Sequence, residues 1–252
     1  MARAAATGPS RLAVPSVLDF GMLRLNEKNC VCLASDPQWL EERTKYVSGS
    51  DIAALLGLSP WKSREALVAE FHTPKVWKDT QNMWWGREME GPNMAAYGKL
   101  TGLVVTPHAA LYARGPIGAT TDAVILPDAL DGLLEASAGY VATSAATYWA
   151  KHHTLLSRCI EVGRTLGRDL PILVEMKNTG ERNRKDWANK APPYYEAQVQ
   201  AQLFVTELDT AVLVAKVGSA DIRAVVVEAD TLMHDEMVSE SEKFLKEVRG
   251  DT

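Results

Sequence analysis

Cysteine is scarce in this 252-residue chain, which has only Cys30, Cys32 and Cys159. Three such residues do not make a disulfide framework, and a Cys-x-Cys pair with one distant partner does not match structural zinc spacing. A reducing cytoplasm is the expected setting. Also missing is an apolar run of the roughly 18 residues that a membrane helix requires. The longest uncharged tract, Ala136 to Ala150, is diluted by Ser, Thr and Gly, so no membrane partner is expected. The opening MARAAATGPSRLAVP lacks the apolar middle of a signal peptide and reads as a flexible arm. Positive charge is not in excess, since the formal net charge is -5. That excludes a global basic field for nucleic acid and makes any phosphate contact local. The histidines, including adjacent His152 and His153, show no zinc or metalloprotease spacing and read as surface residues. No internal repeat is visible.

With 46% hydrophobic residues the chain has material for a sizeable core. Residues 1–34 are expected to be the arm and 35–250 a single domain. SDPQWLEERTKY predicts a helix capped by Asp36, with Pro37 in its first position, ending near Lys45. VSGSDIAALLGLSPW predicts a turn, a cap at Ser50 or Asp51, a short apolar helix and a stop at Gly57. SREALVAEFHTP predicts a helix capped by Ser63. In WWGREMEGPNMAAYGKLTG, a helix is interrupted or started at Gly91-Pro92, with Glu90 beside the break. Three strands follow, LVVTPHAALYAR, IGATTDAVIL and PILVEMK. The last two are separated by a long intrusion, read as a helical insertion over 131–170 with its helix from Ala145 to Leu166. PPYYEAQVQAQLFVT predicts a helix with Pro193 in its first turn, then come strands TAVLVAKV and IRAVVVEA and an amphipathic helix from Asp230 to Val248. The order implies an α+β fold with a mixed central sheet flanked by helices.

The chemistry concentrates in PILVEMKNTG. Strand alternation puts Ile172, Val174 and Met176 on one face and Leu173, Glu175 and Lys177 on the other. Taken alone, Glu-x-Lys also describes an ordinary surface ion pair. The preceding strand carries Asp122 in GATTDAV. In mid-strand this Asp needs a cation or donors to be buried, and at a strand's frayed end it is a turn residue. Carboxylates on rigid elements are what hydrolysis of a phosphodiester needs to hold Mg²⁺.

GATTDAV followed by LVEMK resembles the Asp…Glu-x-Lys signature of the PD-(D/E)XK nuclease superfamily. GSDIAALLGLSPW, WWGREMEGPNMAAYGKLTG and PPYYEAQVQAQLFVT, in that order, are similar to the YqaJ-type viral recombinase and lambda exonuclease family, over about residues 35 to 216. The resemblance implies a restriction-endonuclease-like core, and the insertion between its two metal-bearing strands is larger than the resemblance predicts. It implies Asp122, Glu175, Glu90 and the Met176 backbone carbonyl as Mg²⁺ ligands, with Mn²⁺ as a substitute and Glu88 as the competitor to Glu90. Lys177 would orient water or stabilise charge, and Gln198 would lie near the site with Tyr195 a turn before it. For Gln202 a polar helix face packed on the sheet is the preferred reading. A 5′-phosphate pocket is implied at Arg43 and Ser50, with Thr120 adding a hydroxyl, although Arg43 also suits the C-terminus of its own helix.

After the strand, Arg182, Arg184, Lys185 and Lys190 outnumber the acids of KNTGERNRKDWANK and suit DNA phosphates, with a solvated loop as the alternative. Trp187 would stack on a base or wedge a duplex end, whereas Trp84 and Trp85 read as core. The resemblance implies a Mg²⁺-dependent exonuclease acting 5′-to-3′ on duplex DNA ends, with a single-strand annealing protein as partner and a homotrimeric ring as assembly. Two alternatives stand beside it. One is a RecB-like or iron–sulfur nuclease, which requires four clustered cysteines; the other is an inactive module that binds DNA ends.

Overall fold

The fold is that of a computed structural model, which describes residues 25–73, 80–127, 151–152, 154–156, 158, 170–187, 190–219 and 221–250. Strand β1 (Cys30–Leu33) pairs antiparallel with β4 (Ala110–Arg114). The fold therefore begins before residue 34, where the sequence suggested an arm. Asp36 does not cap the first helix, because its carboxylate accepts from the Leu33 N–H at 2.8 Å and closes the turn after β1. Helix α1 is a single turn, Trp39–Glu42, continued by a 3₁₀ turn at Arg43–Lys45.

The two-residue strand β2 (Val47–Ser48) runs directly into α2 (Gly49–Leu55). Ser48 is the N-cap, in place of Ser50 or Asp51, and its hydroxyl donates to the Asp51 carboxylate at 2.8 Å. Gly57, at φ 69°, adopts the left-handed conformation that ends the segment and that a Cβ would strain. Helix α3 (Arg64–His72) starts where expected, with Ser63 Oγ accepting from the Ala66 N–H at 3.2 Å.

Helix α4 runs from Gln81 to Thr101 without the break expected at Gly91-Pro92. An internal proline removes the N–H that would bond the carbonyl four residues back, here that of Glu88. Pro92 and Glu88 are both exposed, so water can satisfy that carbonyl and the helix continues.

Two of the expected strands divide. LVVTPHAALYAR gives β3 (Thr106–Pro107) and β4, and IGATTDAVIL gives β5 (Ile117–Thr120) and β6 (Ala123–Ile125). Each division passes the chain between sheets. One sheet has the order β1-β4-β5-β2; the other has β3-β6-β7-β8-β9, completed by β7 (Ile172–Thr179), β8 (Thr210–Val217) and β9 (Asp221–Glu228). The single mixed sheet expected from the sequence is thus two. Both are mixed, with β2 parallel to β5 and β7 parallel to β8. Thr121 and Asp122 lie at the crossing, so Asp122 is a strand-end residue and not a mid-strand one. The crossing is fixed by the Thr121 hydroxyl, which donates to the His108 carbonyl at 2.6 Å, and by the His108 N–H, which donates to the Asp122 carbonyl at 2.9 Å.

Helices α5 (Pro193–Thr206) and α6 (Thr231–Arg249) complete the described elements. The Asp230 carboxylate caps α6, and Gly250 ends it in the left-handed region. Met237, Phe244 and Leu245 of α6 bury against α2 and the first sheet, each large side chain contributing roughly 1.5–3 kcal/mol. Met94 and Tyr97 of α4 cover one face of the second sheet, with Leu156 in the same cluster. The residues described between 151 and 158 are helical, while most of the expected insertion and its helix lies outside the described residues. His108 and His152 are buried, contrary to the surface reading. Each is bonded to a tyrosine hydroxyl, Tyr112 at 2.9 Å and Tyr97 at 2.7 Å, which offsets the cost of burying an imidazole.

Candidate active site

Strand β7 alternates as its sequence requires. Ile172, Val174 and Met176 join the core beneath α4, and Leu173 joins the core beneath α5. Glu175 and Lys177 therefore emerge on the α5 side. Helix α5 carries two apolar stripes: Ala197, Ala201 and Val205 pack toward the first sheet, and Val199 and Leu203 toward the second. Gln198 and Gln202 sit between those stripes, over the seam where the sheets meet.

Both glutamines reach Glu175. Gln198 Nε2 donates to its Oε1 at 2.7 Å, and Gln202 Nε2 donates to its Oε2 at 2.5 Å and to the Thr120 carbonyl at 2.8 Å. Gln202 thus does more than face the sheet, as the sequence reading preferred; it bonds the buried carboxylate directly. Lys177 Nζ makes a salt bridge to Glu175 Oε1 and lies 5.2 Å from the Tyr195 ring centroid. Three side chains thereby hold a carboxylate that is 2% exposed.

The crossing between sheets brings Asp122 beside β7, where its Oδ2 accepts from the Met176 N–H at 2.9 Å. Burial pushes the Asp122 carboxyl well above the usual carboxylate range; the Glu175 and Glu90 charges add to this, and Lys177 and the Met176 N–H oppose it. Glu90 arrives from α4, and its pKa is raised by burial and by Glu175, against Lys177. For Lys177 burial disfavours the charge, but the Glu175 and Asp122 carboxylates outweigh it and raise the pKa, so the ammonium stays protonated.

These groups line one cleft of about 440 Å³, together with Arg43, Ser50 and Thr120. The Arg43 guanidinium lies 4.7 Å from the Trp39 ring centroid, and Ser50 Oγ is 2.9 Å from Ser48 Oγ. Arg87, Asn93 and Asn178 also line the cleft and escaped the sequence reading. Arg87 stands one helical turn before Glu90, the spacing that could have flagged it.

Other expected residues lie elsewhere. Arg182, Arg184 and Lys185 are on a 3₁₀ helix, Glu181–Trp187, away from the cleft lining. Arg184 pairs with Glu181 at 2.6 Å and with Asp221. Trp187 is only 1% exposed, so it is core and not a stacking surface. Trp84 and Trp85, read as core, are 44% and 45% exposed.

A family model described as a YqaJ-like viral recombinase domain matches residues 38–209. This chain belongs to that family. No curated protein matches it. Among solved structures the YqaJ-like chain is similar to an alkaline exonuclease from Laribacter hongkongensis, at 18% identity over 86% of this chain and 94% of that one, with a TM-score of 0.55. The same exonuclease in complex with dAMP matches equally. A phage related exonuclease from Haemophilus somnus is similar at 12% identity over 82% of this chain and 96% of that one, with a TM-score of 0.52. The fold is thus α+β with mixed sheets flanked by helices, like that of these exonuclease structures.

The donor set of the YqaJ-like cleft is made of oxygens, the kind that hard cations such as Mg²⁺ take. Among the described residues, no three acidic, His or Cys side chains close into a metal-binding group. Glu175 is bonded to Lys177 and the two glutamines, and Asp122 to the Met176 N–H. The raised carboxyl pKa values mark a place where a cation would relieve repulsion and desolvation. On that chemistry the residues fit a divalent ion. No helix among the described residues is long and apolar enough to cross a membrane.

Proposed function

We propose that this YqaJ-like protein is a divalent-metal-dependent deoxyribonuclease that digests one strand of linear duplex DNA from a 5′ end. The surviving strand would pass to a single-strand annealing protein, in the cytoplasm of a bacterial or phage-infected cell. The observation that carries this reading is the convergence of Glu90, Asp122, Glu175, Lys177 and Gln198 on one cleft. The neighbour's complex with dAMP is a precedent for a deoxynucleotide on this fold. A homotrimeric ring around DNA is proposed from the family alone.

In this reading Asp122, Glu175, the Met176 carbonyl and Glu90 hold Mg²⁺, with Mn²⁺ as a substitute. When bound, such a cation supplies Lewis acidity toward phosphate and acidifies water. In the hydrolysis itself, water adds to phosphorus and gives up a proton to solvent, the P–O3′ bond breaks, and the departing 3′ oxygen takes a proton from solvent. The Lys177 ammonium stabilises negative charge as it grows on the phosphoryl oxygens. Gln198 and Gln202 act on Glu175, fixing the direction of its lone pairs. Arg43 offers a fork to a terminal 5′-phosphate and Ser50 a hydroxyl near the start of α2, with Thr120 beside them.

An end-labelled linear duplex, carrying 5′-phosphate or 5′-hydroxyl ends and compared with a circle, tests the proposal. With Mg²⁺ the 5′ label of the phosphorylated linear duplex should be released first and the circle should survive. Arg43→Gln should reduce the preference for phosphorylated ends by about tenfold, the loss of one charge-assisted pair. Cutting of the circle, or release of the 3′ label first, would overturn the reading.

A further inference from the structure

A second cleft of about 530 Å³ is lined by Trp61, Tyr194, Arg182, Lys190, Asn183 and Asp186 among others. A chain of aromatic contacts connects it to the candidate active site. The Tyr195 ring lies 5.2 Å from Lys177 Nζ and 4.5 Å from the Tyr194 ring, and Tyr194 in turn meets Trp61 edge-on at 4.4 Å. The Trp61 centroid is within about 11 Å of Lys177 Nζ, since the Tyr195 ring stands 5.2 Å from one and 6.1 Å from the other. That is at most about three stacked base steps at roughly 3.4 Å each.

Burial along this chain changes sharply. Trp187, 5.7 Å from Tyr195, is 1% exposed and anchors the underside, whereas Trp61 is 67% exposed. An indole so exposed lacks the burial that normally holds Trp in a fold. Among the described residues neither Arg182 nor Lys190 is in an ion pair, unlike Arg184, and Asp186 is the one acid in the cleft lining. The exposed Trp61 ring and the half-buried Tyr194 ring beside uncommitted cations, on a chain of net charge -5, are complementary to unpaired bases and their phosphates.

We infer that Trp61 and Tyr194, with Arg182 and Lys190, form a stacking groove for a single DNA strand that runs on from the active site. The inference rests on the proposed action at DNA ends. The strand is either the one being hydrolysed or the one left behind, and the chemistry of recognition is the same for both. Three prolines in the lining, Pro60, Pro192 and Pro193, make a proline-rich peptide the competing occupant. The two cations favour the nucleic acid, because such a peptide has no phosphates to pair with them.

The test is fluorescence anisotropy with the full chain in EDTA, using a labelled oligo-dT of about 16 nucleotides, the upper end of such site sizes. Trp61→Ala should weaken binding about fivefold or more, and Trp61→Phe, which keeps a ring, should recover most of it. Arg182→Gln with Lys190→Gln should reduce the slope of log affinity against log salt by about 1.4, or about 0.7 for each phosphate that is no longer neutralised. Duplexes with 5′ or 3′ overhangs assign the strand: whichever overhang binds more weakly to Trp61→Ala is the occupant, and either result supports the groove. Trp61 is at the surface, so melting temperatures should not change, and the charge variant gives an independent readout. Unaltered affinity in Trp61→Ala together with an unaltered salt slope overturns the inference, including the case in which a proline-rich peptide binds there instead. Reading binding without metal separates this outcome from failure of the nuclease proposal, which is decided by degradation.

Discussion

Gln202 joins Glu175 to the other sheet: one amide nitrogen lies 2.5 Å from Glu175 Oε2 on β7 and 2.8 Å from the Thr120 carbonyl at the end of β5. Glu175 is therefore aimed by a helix that touches both sheets, and Thr120 stands two residues before Asp122. Replacing Gln202 by Leu removes both bonds and leaves a buried carboxylate short of a donor, a cost of about 1–3 kcal/mol. The expected outcome is a fall in kcat of tenfold or more with KM for DNA nearly unchanged. An equal change in KM would instead place Gln202 in DNA binding.

Lys177 has the larger expected effect. Lys177→Ala should lower kcat by about a hundredfold or more, by analogy with removing other charge-stabilising donors. Arginine should rescue poorly, because its planar fork does not reproduce a point charge. Single-turnover degradation of 5′-labelled duplex measures this, and near wild-type rates in Lys177→Ala would remove it from the chemistry.

The raised carboxyl pKa values of Asp122 and Glu90 fix the sign of a pH effect. The folded protein keeps protons on these groups at pH values where the unfolded chain has released them. Their contribution favours the fold below the ordinary carboxylate range and is lost as pH rises through the folded-state values. In the proposed function a divalent cation would compensate for the charge that then appears. Melting curves should show a Mg²⁺-dependent rise in Tm that grows as pH rises above the ordinary carboxylate range, and Asp122→Asn should shrink that growth. A Mg²⁺ effect independent of pH would contradict the assignment of these carboxyls.

Trp187 gives the opposite pattern. Its burial predicts that Trp187→Ala costs about 3–5 kcal/mol, the range for deleting a large core aromatic. Urea unfolding should report that loss, with DNA binding retained while the variant is folded. Loss of binding at full stability would restore the sequence reading of Trp187 as a group that touches DNA.

Local signals carried much of this fold. Alternation in ILVEMK separated Glu175 and Lys177 from the apolar face, and Pro193 at the start of α5 placed Gln198 and Gln202 on one face, because both rules concern neighbours in the chain. The division into two sheets was not legible, since the crossing at Thr121 and Asp122 is fixed by bonds to His108, a residue distant in the chain. Pro92 misled because it lies on an exposed side of α4, where water can satisfy the carbonyl it frees. The tryptophans misled in both directions. Trp187 follows a charged run yet turns into the core, whereas Trp84 and Trp85 belong to a half of α4 that is mostly exposed. Partners of an indole are tertiary, so no local pattern reports them.

The ladder between β6 and β7 pairs Ala123 with Val174, Val124 with Leu173 and Ile125 with Ile172. Asp122 and Glu175 lie at one end of these rungs, and the chain from 126 to 171 leaves and returns at the other. Extra sequence can therefore accumulate there through evolution, or be grafted in by engineering, without changing the separation of the two acids. The outlet makes the excursion a natural place for a lineage to vary its cargo while the chemistry stays fixed.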